Sequence, residues 1–435
     1  MPLPPHPASG NGLPMKRPPL LCLLLLPLAI AASAPLAPAE SPFPLQPWID
    51  STPAGGTLRL LPGVYTGPAI ISRPIVLDGA KRARLDGREQ GRVLTIAASG
   101  VTVRNLVIVN SGGSHDQLDS GIYVSGNDNI IENNIIENTL FGITLQQADG
   151  NLIRNNRIRS MPWDSADRGD GIRLWYSRYN LIEGNDIARI RDLTITNSPY
   201  NRFIGNRIVD SRRAMNFLFS HRSLIANNEL SRNTTGIAVL NSEGMIIRNN
   251  RIMHTMDAAG AGIALKESSA VLLVGNEIVR CSVGILSDSS LNPINRVAIL
   301  NNRIAHNITG ISFYGERKGH LVFHNRFEHN LWQALVGEGS DPEAENDWYG
   351  NYWDDYEGFD RDHDGIGDTP YEIWAWSDRI WMEEPKAKFF RNAPALEILD
   401  FLERLAPFAS PSLILRDEAP KIRPEAWKEG GNFLN

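Results

Sequence analysis

Gly244-Met-Ile-Ile-Arg-Asn-Asn250-Arg-Ile252 is the stretch that decides the fold, because it recurs. The same order, a short apolar run, an Asn and an apolar residue two places on, stands at Asn151-Leu-Ile-Arg-Asn-Asn156-Arg-Ile158 and Ser223-Leu-Ile-Ala-Asn-Asn228-Glu-Leu230. The marked Asn falls at Asn134, Asn156, Asn185, Asn206, Asn228, Asn250, Asn276, Asn302 and Asn325. The base period is about 22 residues, and the longer gaps read as loop insertions. A second run lies between the first: Gly142-Ile-Thr-Leu145, Gly171-Ile-Arg-Leu174, Gly236-Ile-Ala-Val239, Gly262-Ile-Ala-Leu265, Gly284-Ile-Leu286 and Gly310-Ile-Ser-Phe313. Each repeat therefore holds short β-branched runs separated by turn chemistry, with no helix-length apolar stripe. A leucine-rich repeat shares the period but needs a Leu spacing and a helix-like half that are absent.

This pattern predicts an all-β chain, a right-handed parallel β-helix (a pectin-lyase-like solenoid) with a C-terminal non-repeat segment containing a short helix. Coils stack at strand spacing, about 4.8 Å, with Ile, Val and Leu pointing into the bore. The recurring Asn sits where the chain turns: it tolerates left-handed backbone, and its amide can donate and accept along a stack. The Gly before each second run reads as a turn residue. Weaker early coils are Pro74-Ile-Val-Leu-Asp78 and Val101-Thr-Val-Arg-Asn105-Leu-Val-Ile108.

Outward from the repeats, residues 40–73 read as an N-terminal cap, with a helix-like stretch at Pro47-Trp-Ile-Asp50; the repeats span 74–339, and residues 340–435 lack them. Leu396 to Leu405 has helical spacing. Residues 1–39 read as a signal peptide: a charged Met15-Lys16-Arg17, an apolar Leu20 to Ile30, and a small-x-small Ala37-Pro38-Ala39 before Glu40. Residues 1–14 carry no targeting pattern, which makes Met15 an alternative start. The apolar run is too short to span a bilayer comfortably, and no later segment is a span candidate, so the expected place is the periplasm. The net charge of −6 and the lack of a basic block argue against a nucleic-acid partner. Of the two cysteines, Cys22 lies in the export segment and Cys281 stands alone as a small buried residue.

Three constellations could carry chemistry. Asp360-Arg-Asp362-His-Asp364-Gly365-Ile-Gly-Asp368 places carboxylates at positions 1, 3, 5 and 9 with Gly at 6, like the front of a calcium loop, but position 12 is Tyr371. The alternative is an acidic turn held by side-chain-to-backbone bonds. Met253-His254-Thr255-Met256 sets two thioethers and an imidazole together, donors that suit Cu(I); Met215, His221 and Met245 fall in adjoining coils. The bland reading is Met as gap filler and His on a wet turn. Trp163, Asp164, Asp170, Arg173 and Trp175 form a candidate sugar groove, as carbohydrate-binding, lyase or epimerase β-helices need acids, cations and aromatics. No paired acids recur on a shared face, so turn roles compete here too. His306, His320, His324 and His329 fit no closed zinc site.

Three further pieces are distinctive: Leu58-Arg-Leu-Leu-Pro-Gly-Val-Tyr65 with Pro74-Ile-Val-Leu-Asp-Gly79; Gly350-Asn-Tyr-Trp-Asp-Asp-Tyr356 leading into the acidic loop; and a tail from Ala393-Pro-Ala-Leu396 to Asp417-Glu-Ala-Pro420. Together they carry a resemblance to the NosD-type maturation proteins of nitrous oxide reductase. It implies a periplasmic β-helix protein working beside an ABC transporter permease and ATPase. Copper, from a copper chaperone, would pass toward nitrous oxide reductase, and the chain would not be an enzyme. Where that family shows a His-Tyr-Met string, this chain has Asn216-Phe217-Leu218. The resemblance thus supplies no ligands there, and the Met253 group rests on donor chemistry alone.

Overall fold

The coils turn at a residue pair, most often an Asn doublet, whose two members do different work. In the computed structural model, which describes residues 42–288, 294–313, 319–336, 346–375, 398 and 412–424, the first member takes left-handed backbone. Asn133, Asn155, Asn227, Asn249 and Asn301 have φ between 52° and 57°, and Gly184, Gly205, Gly275 and Gly350 replace them at 61–67°. The second member has ordinary backbone and makes the ladder. Asn134 Nδ2 donates to Asn156 Oδ1 at 3.0 Å, and the bond repeats coil by coil through Asn325 to Asn351. Each ladder Oδ1 also accepts the backbone N–H one coil earlier, as in Asn206 N to Asn228 Oδ1 at 2.8 Å, and each Nδ2 spends its other proton on a carbonyl, as in Asn228 to Phe203 O at 3.0 Å. The sequence pattern credits one Asn with both tasks; the structure divides them.

The strands lie in three sheets of 14, 12 and 15 members. One coil shows the plan. Leu224–Ala226 belongs to the 15-stranded sheet, Glu229–Ser231 to the 14-stranded and Thr235–Leu240 to the 12-stranded. Neighbours pair in parallel, with Ile225 beside Ile247 and Leu230 beside Ile252. These inward residues are fully buried, so the bore is one continuous apolar core. The solenoid fold expected from the repeats is the one observed.

The glycines opening the second run serve a different purpose from the one expected. Gly142, Gly236 and Gly262 lie within or against the 12-stranded sheet and none has positive φ. A Cβ on Gly236 would come 2.4 Å from Gly262 O and 2.6 Å from Ile252 Cγ2. Close stacking, not turn conformation, demands glycine there.

The ends use unique parts. At the start, helix Gln46–Ser51 buries Ile49, and Arg73 donates to the carbonyls of Thr52 (2.8 Å) and Ile49 (3.0 Å) at the helix C-terminal end. Stacking begins with Phe43–Pro44, which pairs with Gly63–Thr66 inside the expected cap, and runs past residue 340 to Tyr352–Trp353. There Phe327, Trp353 and Tyr371 stack at 4.3 and 4.5 Å between ring centres. Strand Ser412–Asp417 pairs antiparallel with Tyr371–Ala375. The helix expected at Leu396 to Leu405 falls, but for Ile398, outside the described residues, as does the signal segment.

Candidate metal-binding corner

The corner joining the 14-stranded to the 12-stranded sheet also calls for left-handed residues. Asn110, Asn138, Arg189, Asp210, Arg232, His254, Arg280, His306 and His329 fill it, with φ between 52° and 59°. Their backbones stack: Arg232 N–H donates to Met253 O (3.0 Å), His254 to Val279 O (3.1 Å), Arg280 to Ala305 O (3.2 Å) and His306 to Glu328 O (2.8 Å). From Arg189 onward these side chains are exposed.

The Met253–Met256 group sits on this column. Met253 ends strand Arg251–Met253 and is half-buried, His254 is exposed, Thr255 is buried and Met256 is 55% exposed. Met215 and Met245 do not join it. Both are fully buried in the bore, Met215 on the 12-stranded sheet and Met245 just before a strand of the 15-stranded sheet. His221 is engaged elsewhere, its Nδ1 accepting the Glu243 N–H at 3.0 Å. Cys281 lies buried, and burial pushes its thiol up, away from the thiolate a metal needs. The accessible soft donors of this turn are therefore two thioethers and one imidazole. Beside them, Arg232 is bound to Asp210 through Nε (2.6 Å) and Nη2 (3.0 Å), so its charge is matched.

The sugar candidates divide. Asp170, Arg173 and Trp175 lie on or next to strand Ile172–Trp175, with the Arg173 guanidinium 5.6 Å from the Trp175 ring centre. Trp163 instead packs over Gly113. Asp164 is exposed, while Asp170 has no exposed surface. Its Oδ1 accepts from Arg191 at 3.1 Å, and Oδ2 lies 3.6 Å from Arg173. Burial pushes its carboxyl up, against the pull of Arg191. A carboxylate enclosed in this way has no path to a substrate proton.

In the acidic loop, Asp360, Asp362 and Asp364 bring carboxylate oxygens within 4.8 Å of one another. Asp368 is not among them and accepts the Arg361 N–H at 2.8 Å. Asp360 accepts the N–H groups of Asp364 and Gly365, both at 3.1 Å. The loop also docks on the tail, Gly367 N–H to Pro420 O (2.8 Å) and Ile422 N–H to Gly365 O (3.1 Å). These are the bonds of a structural turn.

Two features went unread in the sequence. One is Asp417, which ends the Asn ladder. The other is that His254, His306 and His329 share a column. The signal for the second was present: each stands four positions after its ladder Asn.

Residues 160–358 match the family described as periplasmic copper-binding protein (NosD), and 92–215 match a right-handed β-helix region. A probable ABC transporter binding protein NosD of Pseudomonas aeruginosa is 31% identical, over 94% of this chain and 96% of the relative. One of the same name from Stutzerimonas stutzeri is 27% identical, over 88% and 89%. Among solved structures, the catalytic domain of a GH87 alpha-1,3-glucanase superposes with a TM-score of 0.50 at 17% identity, covering 68% of this chain and 64% of that one. That likeness is one of fold alone. Among the described residues no helix is long and apolar enough to cross a membrane.

Proposed function

This chain belongs to the NosD family of periplasmic copper-binding proteins, and from that premise we propose that it handles copper as cargo for the assembly of nitrous oxide reductase. In this reading it works in the periplasm beside an ABC transporter permease and ATPase, receives the ion from a copper chaperone and acts as an accessory, not a catalyst. The names of the two relatives support the transporter partnership. The enclosed Asp170 supports the accessory role, because the acid beside the aromatic groove cannot serve as a general base.

One observation carries the copper side: Met253, His254 and Met256 stand on an accessible turn, while Met215, Met245 and Cys281 are sealed in the bore. Thioether and imidazole together favour Cu(I) over harder cations. The test is a Cu(I) titration of the exported form against a competing chelator, beside the Met253→Ala/His254→Ala/Met256→Ala variant. Tight binding that the variant loses is expected. Equal binding by both forms would move the cargo site elsewhere, and binding by neither would leave only a scaffold for the transporter.

A further inference from the structure

Two coils beyond His254 the same corner holds a second set of donors. His306 and His329 occupy consecutive coils, and their ring centres are 5.0 Å apart, tilted by 58°. A metal–imidazole bond is about 2.0–2.1 Å, so two ring nitrogens can share one ion when they are up to about 4 Å apart. Rings at this spacing can present such a pair of nitrogens.

His329 is also oriented. Its Nδ1 lies 2.5 Å from Asp354 Oδ2, and its backbone N–H donates to the same oxygen at 2.7 Å. Asp354 is fixed in turn by Gln333, whose Nε2 donates to Oδ1 at 2.7 Å. A carboxylate only accepts, so in the neutral ring the proton belongs on Nδ1 and the lone pair on Nε2, where it is available to a metal. Carboxylate behind imidazole, with the far nitrogen open, is the arrangement that orients metal-bound histidines.

We propose that His306 and His329 form an imidazole site for a first-row transition cation, copper or zinc, with Asp354 as the positioning residue. Two protein nitrogens leave the remaining coordination open to water or to a partner's ligand, as suits an ion that must be passed on. The site stands on this geometry and not on the Met253 group. If the ion is copper, its place in a relay rests on the function proposed above.

Zn(II) separates the two readings, because imidazole binds it and thioether does not favour it. Zn(II) and Cu(I) would each be titrated against a chelator into the exported form, with His306→Gln, His329→Gln, Asp354→Asn and the Met253/His254/Met256 triple alanine variant alongside. Thermal melts would verify that each variant is folded. The expected result is one Zn(II) bound and lost in either His variant, weakened about 10–100-fold in Asp354→Asn, and kept in the triple variant. Zn(II) affinity unchanged in folded His306→Gln and His329→Gln, or lost in the triple variant, would overturn the site. Failure of Cu(I) alone to depend on the triple variant would overturn the earlier reading and leave this one standing.

Discussion

The inner Asn turn and the outer corner face the same backbone demand and answer it in opposite ways. Both require left-handed residues coil after coil. At the inner turn the next residue is Asn in every coil from Asn134 to Asn351, because its amide must meet an identical amide in the neighbouring coil in a buried place. At the outer corner the residue is Asn, Arg, Asp or His. From Arg189 onward the backbone carries the regular stacking there and the side chain stands exposed, so a substitution orphans no buried group. Sequence constraint concentrates on the inside of the turn and chemical freedom on the outside. That freedom is what lets the exposed imidazoles of His254, His306 and His329 stand on the corner.

The largest effect is expected where the inner ladder stops. Asn351 has no further Asn to meet; Asp417 closes the stack from the tail. Its Oδ1 accepts from Gly350 N and Ala419 N, and its Oδ2 from Asn351 N, Asn351 Nδ2 and Trp353 Nε1, at 2.8–3.2 Å. Asp417→Ala would strand several buried donors at once, each costing about 1–3 kcal/mol. A loss of about 4 kcal/mol or more in urea unfolding is expected. Asp417→Asn should fall between, since both oxygens are in use and an amide nitrogen would face donors on one side. A melt of Asp417→Ala that matches wild type would mean the tail does not close the ladder.

Within the ladder the loss should be smaller. Asn228→Ala removes the acceptor for Asn206 N and Nδ2 and the donor to Phe203 O and Asn250. That is about 3 kcal/mol by the same rule, because neighbouring coils remain paired along their strands. Amide exchange should show the loss as local opening near Asn206. This part of the fold was legible: apolar runs, doublet and spacing name the coils and the buried Asn. The closing Asp417 was not, because its partner Asn351 lies 66 residues away and the residue type changes at the last step. The stacking glycines were misread for a related reason, since what excludes a Cβ at Gly236 is a carbonyl of the next coil. The soft donors at Met253–Met256 were legible as types, but only the folded corner shows that Met215 and Met245 belong to the bore.

The smallest effect should come from the corner itself, and pH reveals it. The Arg232 guanidinium, hydrogen-bonded to Asp210, holds that carboxyl below its ordinary range. A carboxyl depressed in the folded state contributes stability above its unfolded value, near 3.8, and loses it as pH falls through the folded one. Asp210→Asn should therefore lower Tm slightly at pH 7, with the two proteins converging as the solution is acidified below the carboxylate range. Both partners are largely exposed, so solvent screening keeps the difference small, and salt should shrink it further. The same variant leaves Arg232 uncompensated one coil from His254. Cu(I) binding at the Met253 group should then weaken more at low salt than at high, which a chelator titration at two ionic strengths would read. A stability loss as large as that of Asn228→Ala would mean that the corner is as tightly specified as the ladder, and the division between inner identity and outer freedom would fail.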